Sequence, residues 1–169
     1  IEGFENNNLS KLVFAPDIDT FAIFPWRPQS DRVGRFICDV KNVDGTPFAN
    51  DSRYILKKVL KDAAKEGYYF NVGPECEFFL FDLDEQGNPT TNTREKGSYF
   101  DVGPVDKGEN ARRDMVLSLS DMGFEIETSY HSDECAQHQI DFKYDSPLHT
   151  ADNILTFKLA VHTLSLIHI

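Results

Sequence analysis

The chain has 169 residues, of which 40% are hydrophobic and 27% charged, and its formal net charge is −11. This length suits one domain, or a small domain plus part of another. The acidic balance argues against a nucleic-acid surface, and no apolar run approaches the roughly 20 residues that span a bilayer. The three cysteines show no C-x-x-C spacing, so neither a disulfide framework nor a zinc knuckle is indicated, and a reducing cytoplasm is the expected compartment.

The N-terminal third predicts two strands and a helix. The strands are expected over 20–24 and 33–40, with turn residues after each. Asp51 is a favourable N-cap residue and predicts the start of a helix that ends at a glycine. Its apolar face is expected to carry residues at helical spacing, namely Ile55, Leu56, Val59, Leu60 and Ala63.

Residues 68–81 predict a strand that carries two carboxylates, Glu75 and Glu77. Strand side chains alternate, so the two carboxylates point to one face, roughly 7 Å apart. Two such charges repel each other and lose hydration when they are enclosed, and a hard divalent ion such as Mg²⁺ or Mn²⁺ would offset both effects. The alternative is an edge strand whose glutamate face is simply hydrated.

The remaining elements complete an α+β pattern. Residues 84–96 are polar and predict a surface loop, and a helix is expected over 107–122. Strands over 124–128 and 137–142 are expected to form a hairpin, and a last helix begins near residue 150. Antiparallel strands with helices on one side are therefore the expected architecture. The last strand places three polar residues on one face: Gln137, Gln139 and Asp141.

Eight short blocks carry a family resemblance, at residues 1–4, 17–21, 24–28, 37–48, 73–79, 96–101, 137–144 and 151–158. In order and spacing they resemble bacterial (type I) glutamine synthetase. The resemblance implies that residues 1–47 are the C-terminal part of an N-terminal β-grasp domain. Residues 48–163 would be the N-terminal part of the catalytic domain, which is built on an antiparallel sheet. Residues 164–169 match the translation of a sequencing adapter, and we expect them to be a non-native tail; the alternative is an ordinary apolar helix end.

The resemblance also implies an activity. Glutamine synthetase is a glutamate–ammonia ligase that uses ATP and Mg²⁺ or Mn²⁺ to join ammonium to the γ-carboxylate of glutamate through γ-glutamyl phosphate. The family forms homo-oligomers, here an expected dodecameric ring in the cytoplasm, with active sites between neighbouring subunits. This partial chain is expected to be inactive alone. Two alternatives stay open, namely a γ-glutamyl-polyamine ligase of the same fold and a non-catalytic binding or regulatory member.

Four residues match functional positions of the family. By resemblance, Glu75 belongs to the nucleotide-side metal ion, Glu77 to the glutamate-side ion, and Glu127 to the ATP side. Tyr99 matches a tyrosine at the ammonium pocket. On their own, Glu127 is equally well explained as a surface strand residue, and Tyr99 as a half-buried strand residue.

The sequence departs from the family where further metal ligands are expected. Without gaps, Ser132 and Gln139 replace two glutamates of the family pattern, and neither side chain supplies a charge. Glu134 could take a ligand position if the turn were rebuilt, or residues 132–135 could contain sequence errors. His131 and His138 lie close by, and we expect them to form hydrogen bonds rather than bind metal.

Overall fold

A computed structural model of the chain describes residues 11–168, so the sequence block at residues 1–4 lies outside the described part. The described residues form two compact units. The first comprises residues 11–23 and 33–70, and the second comprises residues 24–32 and 71–168. Both contain antiparallel strands and helices, which confirms the α+β class. Within residues 11–168, no helix combines the length and the apolar character that a membrane crossing requires.

The first unit contains a two-stranded sheet and one helix. Strand β1 (Leu12–Ile23) pairs with β2 (Gly34–Asn42) in antiparallel orientation, and both strands are longer than predicted. Helix α1 (Ser52–Lys65) begins after Asp51, whose side chain accepts a hydrogen bond of 3.2 Å from the backbone N–H of Arg53. This is the predicted N-cap, and it satisfies one of the amide groups that a helix start leaves unpaired.

Helix α1 half-buries part of the apolar face predicted for it. Leu56, Leu60 and Ala63 are half-buried, whereas Ile55 and Val59 are 47% and 58% exposed. Arg53 lies on the half-buried side of the helix and forms ion pairs with Asp17 at 2.7 Å and with Asp39 at 2.6 Å. Helical spacing therefore identified part of the apolar face and made it too wide.

The second unit is a three-stranded antiparallel sheet with two helices. Its strands are β3 (Glu75–Phe79), β4 (Ile126–His131) and β5 (Gln137–Phe142), in the order β3-β5-β4. Strands β4 and β5 form the predicted hairpin. Helices α2 (Glu109–Asp121) and α3 (Pro147–His168) lie close to their predicted positions.

The core of this unit lies between the sheet and its two helices. Trp26 packs partly buried against it. Helix α3 continues through Leu164, which is 4% exposed, to His168, and the origin of residues 164–169 stays a prediction. The fully buried core consists of Ala111, Met115, Leu119, Phe124, Ile140, Phe142, Phe157, Ala160 and Leu164.

The strand predicted over 68–81 is much shorter in the structure. Tyr69 is 84% exposed, and Val72 makes only an isolated bridge to Asp145 before β3 starts at Glu75. Pro74 has no backbone N–H to donate, which explains why regular pairing does not extend through it. Aromatic residues on both sides of this proline made the whole segment resemble one strand. The strand predicted over 124–128 was also placed too early, since β4 covers Ile126–His131.

Candidate functional site

Strand pairing gathers polar side chains on the sheet face that points away from the helices. Glu75 and Glu77 lie two residues apart on β3 and therefore share this face. The register of β3 with β5 sets Glu75 opposite Asp141 and Glu77 opposite Gln139. We call this surface the carboxylate face. The sequence placed its glutamates on one side of a strand, and the tertiary pairing supplies their neighbours.

Both oxygens of Glu77 accept hydrogen bonds from neutral side chains. The hydroxyl of Ser132 donates to Oε1 at 2.8 Å, and the side-chain amide of Gln137 donates to Oε2 at 3.0 Å. Ser132 is 3% exposed, so its hydroxyl is held against Glu77 rather than hydrated. Hydrogen bonds to an ionised acceptor are stronger than those between neutral groups. Glu77 is therefore firmly attached to the hairpin of β4 and β5.

The turn of this hairpin shows how the family pattern maps onto the chain. Ser132 stands next to Glu77, where the ungapped alignment put a glutamate of the family. Glu134 is exposed, and its backbone N–H donates to the side-chain oxygen of Gln137 at 3.0 Å. Within residues 11–168, the Glu134 carboxylate has no hydrogen-bond or ion-pair partner. Ser132 therefore contacts Glu77 with its side chain, and Glu134 supports the turn through its backbone.

Asp141 is a site residue for which sequence analysis predicted no role. Its two oxygens each accept a hydrogen bond of 3.0 Å from the Gln139 side-chain amide, and Oδ2 also accepts one from the Thr128 hydroxyl. Gln139, which is 6% exposed, is thereby oriented with its N–H group towards Asp141. The alternation of Gln137, Gln139 and Asp141 was the available signal, since it placed Asp141 on the same face as the glutamates.

Glu75 and Glu127 differ from Glu77 in having no protein partner. Within residues 11–168, neither carboxylate has a hydrogen bond or an ion pair. Together with Asp141 they line a cavity of about 170 Å³ whose lining contains no basic side chain. Glu127 reaches this cavity from a bulge in β4, where the pairing with β5 shifts between Ile126 and Thr128. Three carboxylates around one small cavity create a strongly negative potential that favours a cation.

Burial, together with the carboxylates of this face, raises the pKa of Tyr130. Tyr130 lies on β4 opposite Gln139. Partial burial and then the charge of Asp141, with smaller contributions from Tyr99, Glu75 and Glu77, raise the pKa of its phenol above the ordinary value. A negative environment disfavours the phenolate for the same reason that it attracts a cation.

Tyr99 stands beside this face within an aromatic cluster. Its ring lies 5.7 Å from the ring of Tyr130 in an edge-to-face arrangement, and Phe100 stacks on Tyr130 at 4.9 Å. The backbone N–H of Phe100 donates to the carbonyl of His131, and Phe100 takes a positive φ of 60°. Tyr99 is in a turn rather than a strand and is 54% exposed, so its hydroxyl is accessible to a ligand.

The opposite face of the sheet carries a buried polar network. His131 and His138 pair across β4 and β5 and point to the core side, away from Glu77. His131 Nε2 contacts Glu95 Oε1 at 2.6 Å, and Glu95 also accepts hydrogen bonds from the backbone N–H groups of Ala136, at 3.1 Å, and Lys107. Both histidines therefore have the hydrogen-bonding role expected from the sequence.

Arg112 supplies the positive charge of this network. Its Nη1 lies 2.7 Å from Asp106 Oδ2 and donates to His138 Nδ1 at 2.7 Å. Burial, followed by the nearby Arg112 charge, lowers the pKa of His138 to about 4, so this imidazole is neutral at pH 7. Glu95, Asp106 and His131 converge closely enough to surround an ion. Arg112 offsets part of this charge, and two backbone N–H groups bond to Glu95, whereas the buried Asp106 Oδ2 and His138 Nε2 have no hydrogen-bond partner among the described residues.

Comparison with known proteins decides the family. The model of the glutamine synthetase catalytic domain matches residues 49–168. The chain belongs to the glutamine synthetase family. It is 55% identical to a glutamine synthetase of Clostridium saccharobutylicum over 168 residues, and 52% identical to that of Staphylococcus aureus over 169 residues. In each case the match covers 99% of this chain and 38% of the relative, so the chain spans well under half of their length.

Solved structures of the family share the fold. A glutamine synthetase from Plasmodium falciparum superposes with a TM-score of 0.82 at 22% identity, covering 98% of this chain and 38% of the other. GmaS bound to ADP gives a TM-score of 0.82 at 25% identity over 96% of this chain and 37% of the other. The likeness to the P. falciparum protein shows the fold alone, namely antiparallel sheets with helices.

Glutamine synthetases use ATP and divalent metal ions, and the two ends of the carboxylate face differ in how well they suit such an ion. The Glu75 end fits, because two carboxylates without protein partners and a third carboxylate surround a cavity. The Glu77 end does not fit. There, one carboxylate has both oxygens engaged by neutral donors, and no second charge lies beside it among Ser132, Gln137 and Gln139.

Proposed function

We propose that the protein containing this chain catalyses ATP-dependent ligation of ammonium to the γ-carboxylate of glutamate. In this reaction the γ-carboxylate attacks the terminal phosphate of ATP, giving γ-glutamyl phosphate and ADP, and ammonia then displaces phosphate. The observation that carries the proposal is the acidic cavity formed by Glu75, Glu127 and Asp141, in a chain that is more than half identical to glutamine synthetases.

We assign the residues of the cavity to the nucleotide side. Glu75 and Glu127 would hold a Mg²⁺ or Mn²⁺ ion, which would supply positive charge to offset the charge of the phosphates. Hydrogen bonds from Gln139 and Thr128 orient the Asp141 carboxylate, which adds a third negative charge to the cavity. Phosphoryl transfer depends mainly on positioning and charge neutralisation, so fixed carboxylates are the contribution that such a site requires.

Tyr99 is the proposed contact for ammonium. Its exposed phenol oxygen can accept a hydrogen bond from NH₄⁺, and the faces of the neighbouring Tyr130 and Phe100 rings attract cations. A phenol at this place would orient ammonium near the acidic face. The β-grasp origin of residues 1–47, the homo-oligomeric ring and the cytoplasmic location belong to this proposal as features of the family.

The test is phosphate release by the complete protein from glutamate, ATP, ammonium and Mg²⁺. Glu75→Gln should reduce turnover by at least about a hundredfold, since removing a single electrostatic partner of a transition state has effects of this order. Glu85→Gln is the matched control, because Glu85 is an exposed loop residue and its replacement should leave turnover unchanged.

Replacing ammonium by putrescine or ethylamine identifies the amine acceptor. Turnover with ammonium but not with putrescine or ethylamine supports a glutamine synthetase. Turnover with one of these amines but not with ammonium would establish a γ-glutamyl-polyamine-type ligase instead. Unchanged turnover in Glu75→Gln would contradict the assignment of the cavity as the metal-ion site. A complete protein that binds ATP but releases no phosphate with any amine would favour the non-catalytic alternative.

A further inference from the structure

We propose that Glu77 in this chain is not a metal ligand, but a hydrogen-bond acceptor that fixes the turn of the β4–β5 hairpin. A divalent ion would then enter the carboxylate face at the Glu75 end and be absent from the Glu77 end. This inference rests on the proposed function, because it concerns the metal content of the same site. It departs from the assignment that the family resemblance implies for Glu77.

Both oxygens of Glu77 already accept a hydrogen bond. Ser132 Oγ lies 2.8 Å from Oε1, and Gln137 Nε2 lies 3.0 Å from Oε2. Each oxygen keeps a second lone pair. An ion bound there would lie beside the positive ends of the Ser132 O–H and Gln137 N–H dipoles, which weakens its binding. Glu75 has no such bonds among the described residues, so an ion there displaces only water.

Negative charge is also low at the Glu77 end of the face. Glu77 contacts or pairs with three neutral residues at this end, namely Ser132, Gln137 and Gln139, and none of them adds a carboxylate. Hard divalent ions in proteins are usually neutralised by several carboxylates, and neutral amide and hydroxyl groups add oxygen atoms without charge. The Glu75 end brings three carboxylates to one cavity.

Gln139 is oriented away from Glu77. Its amide nitrogen donates to both oxygens of Asp141, so this side chain is committed to the Glu75 end. The turn itself is held from both sides of the sheet. Glu77 binds Ser132 and Gln137 on the carboxylate face, and Glu95 accepts from the Ala136 backbone on the core face. A carboxylate in this position has a structural role that does not require a metal.

The test compares Mn²⁺ binding by the complete protein and its variants, measured by electron paramagnetic resonance of free Mn²⁺. Glu75→Gln should weaken binding at the highest-affinity site by at least tenfold. Glu77→Gln should leave both the number of bound ions and their affinities within twofold of the wild type. Loss of one Mn²⁺ per subunit in Glu77→Gln, with the fold unchanged by circular dichroism, would overturn the proposal.

A variant that gains Mn²⁺ binding tests the role of charge beside Glu77, and its result does not depend on whether Glu77→Gln folds. The double variant Ser132→Glu/Gln139→Glu adds two carboxylates beside Glu77 and should bind one additional Mn²⁺ per subunit. That ion should be lost again when Glu77→Gln is added. A double variant without additional Mn²⁺ would overturn the claim that neutral neighbours exclude the ion.

Two matched variants control for added charge. Ser129→Glu introduces a carboxylate on β4 at a position paired with the buried Ile140, outside the carboxylate face. Gln86→Glu introduces one in an exposed turn. Neither should bind additional Mn²⁺. Failure of the proposed function would give a different result. If the wild-type protein bound no Mn²⁺ and Glu75→Gln left turnover unchanged, the assignment of the cavity as the metal-ion site would be contradicted.

Discussion

Replacing Glu95 by alanine should destabilise the second unit strongly. The carboxylate is 7% exposed and accepts hydrogen bonds from His131 Nε2, from the Ala136 backbone and from the Lys107 backbone. His131 and Ala136 are 0% and 2% exposed, so water cannot replace their lost acceptor, whereas Lys107 lies at the surface. A buried donor left without a partner costs about 1–3 kcal/mol, so the two buried donors predict a loss of about 2–6 kcal/mol.

The conservative variant Glu95→Gln should cost less. Its amide oxygen can still accept from His131 and Ala136, but its NH₂ group then faces the Lys107 N–H, and two donors cannot bond to each other. We expect a loss of about 1–3 kcal/mol, which is the cost of one unsatisfied contact. The order wild type, Gln, Ala should therefore hold for stability.

The assay is urea unfolding followed by tryptophan fluorescence. The chain has a single tryptophan, Trp26, which packs against the core of the second unit and so reports on that unit alone. Glu85→Ala in the exposed loop is the matched control and should change the free energy of unfolding by less than about 0.5 kcal/mol. A loss below about 1 kcal/mol in Glu95→Ala would refute the account of Glu95 as the buried acceptor of this hairpin.

Three further perturbations test other parts of the structure. Met115→Ala removes a fully buried side chain and should cost about 2–5 kcal/mol in urea unfolding, while Leu117→Ala on the same helix, 54% exposed, should cost about 1 kcal/mol or less. Burial and Arg112 hold the pKa of His138 at about 4 against 6.5 ordinarily, so the unfolded chain binds the proton more readily. Stability should therefore fall by about 2 kcal/mol between about pH 6.5 and 5, and a pH series on His138→Gln should lack this loss. Asp51→Ala removes the side-chain acceptors of the backbone N–H groups of Arg53 in α1 and Val40 in β2. It should lower the stability of the first unit by about 1–2 kcal/mol, measured by far-ultraviolet circular dichroism.

The sequence alone determined the features that depend on local periodicity and on short-range chemistry. The two-residue repeat of strands placed Glu75 and Glu77 on one face, and it gave the same alternation to Gln137, Gln139 and Asp141. Asp51 was identified as an N-cap because its short side chain reaches the first free amides of α1. These predictions hold because the interacting groups are only a few residues apart.

The same local reasoning failed where the partner of a segment decides its structure. The aromatic run before β3 has strand propensity, but propensity is weak evidence where Pro74 prevents regular pairing. Ile55 and Val59 have the spacing of an apolar face but are exposed, and the half-buried side of α1 also carries Arg53, which forms ion pairs with Asp17 and Asp39.

Only the tertiary structure decided what each carboxylate does. Glu75 and Glu77 are chemically identical and two residues apart, but the register of β3 with β5 sets one opposite Asp141 and the other opposite Gln139. Ser132, which binds Glu77, is 55 residues away in the chain, and His131 is 36 residues from Glu95. Periodicity fixes the direction of a side chain along its own strand. The charge and the hydrogen-bond capacity that surround it come from other strands, so the chemical role of each carboxylate is set by pairing over long sequence separations.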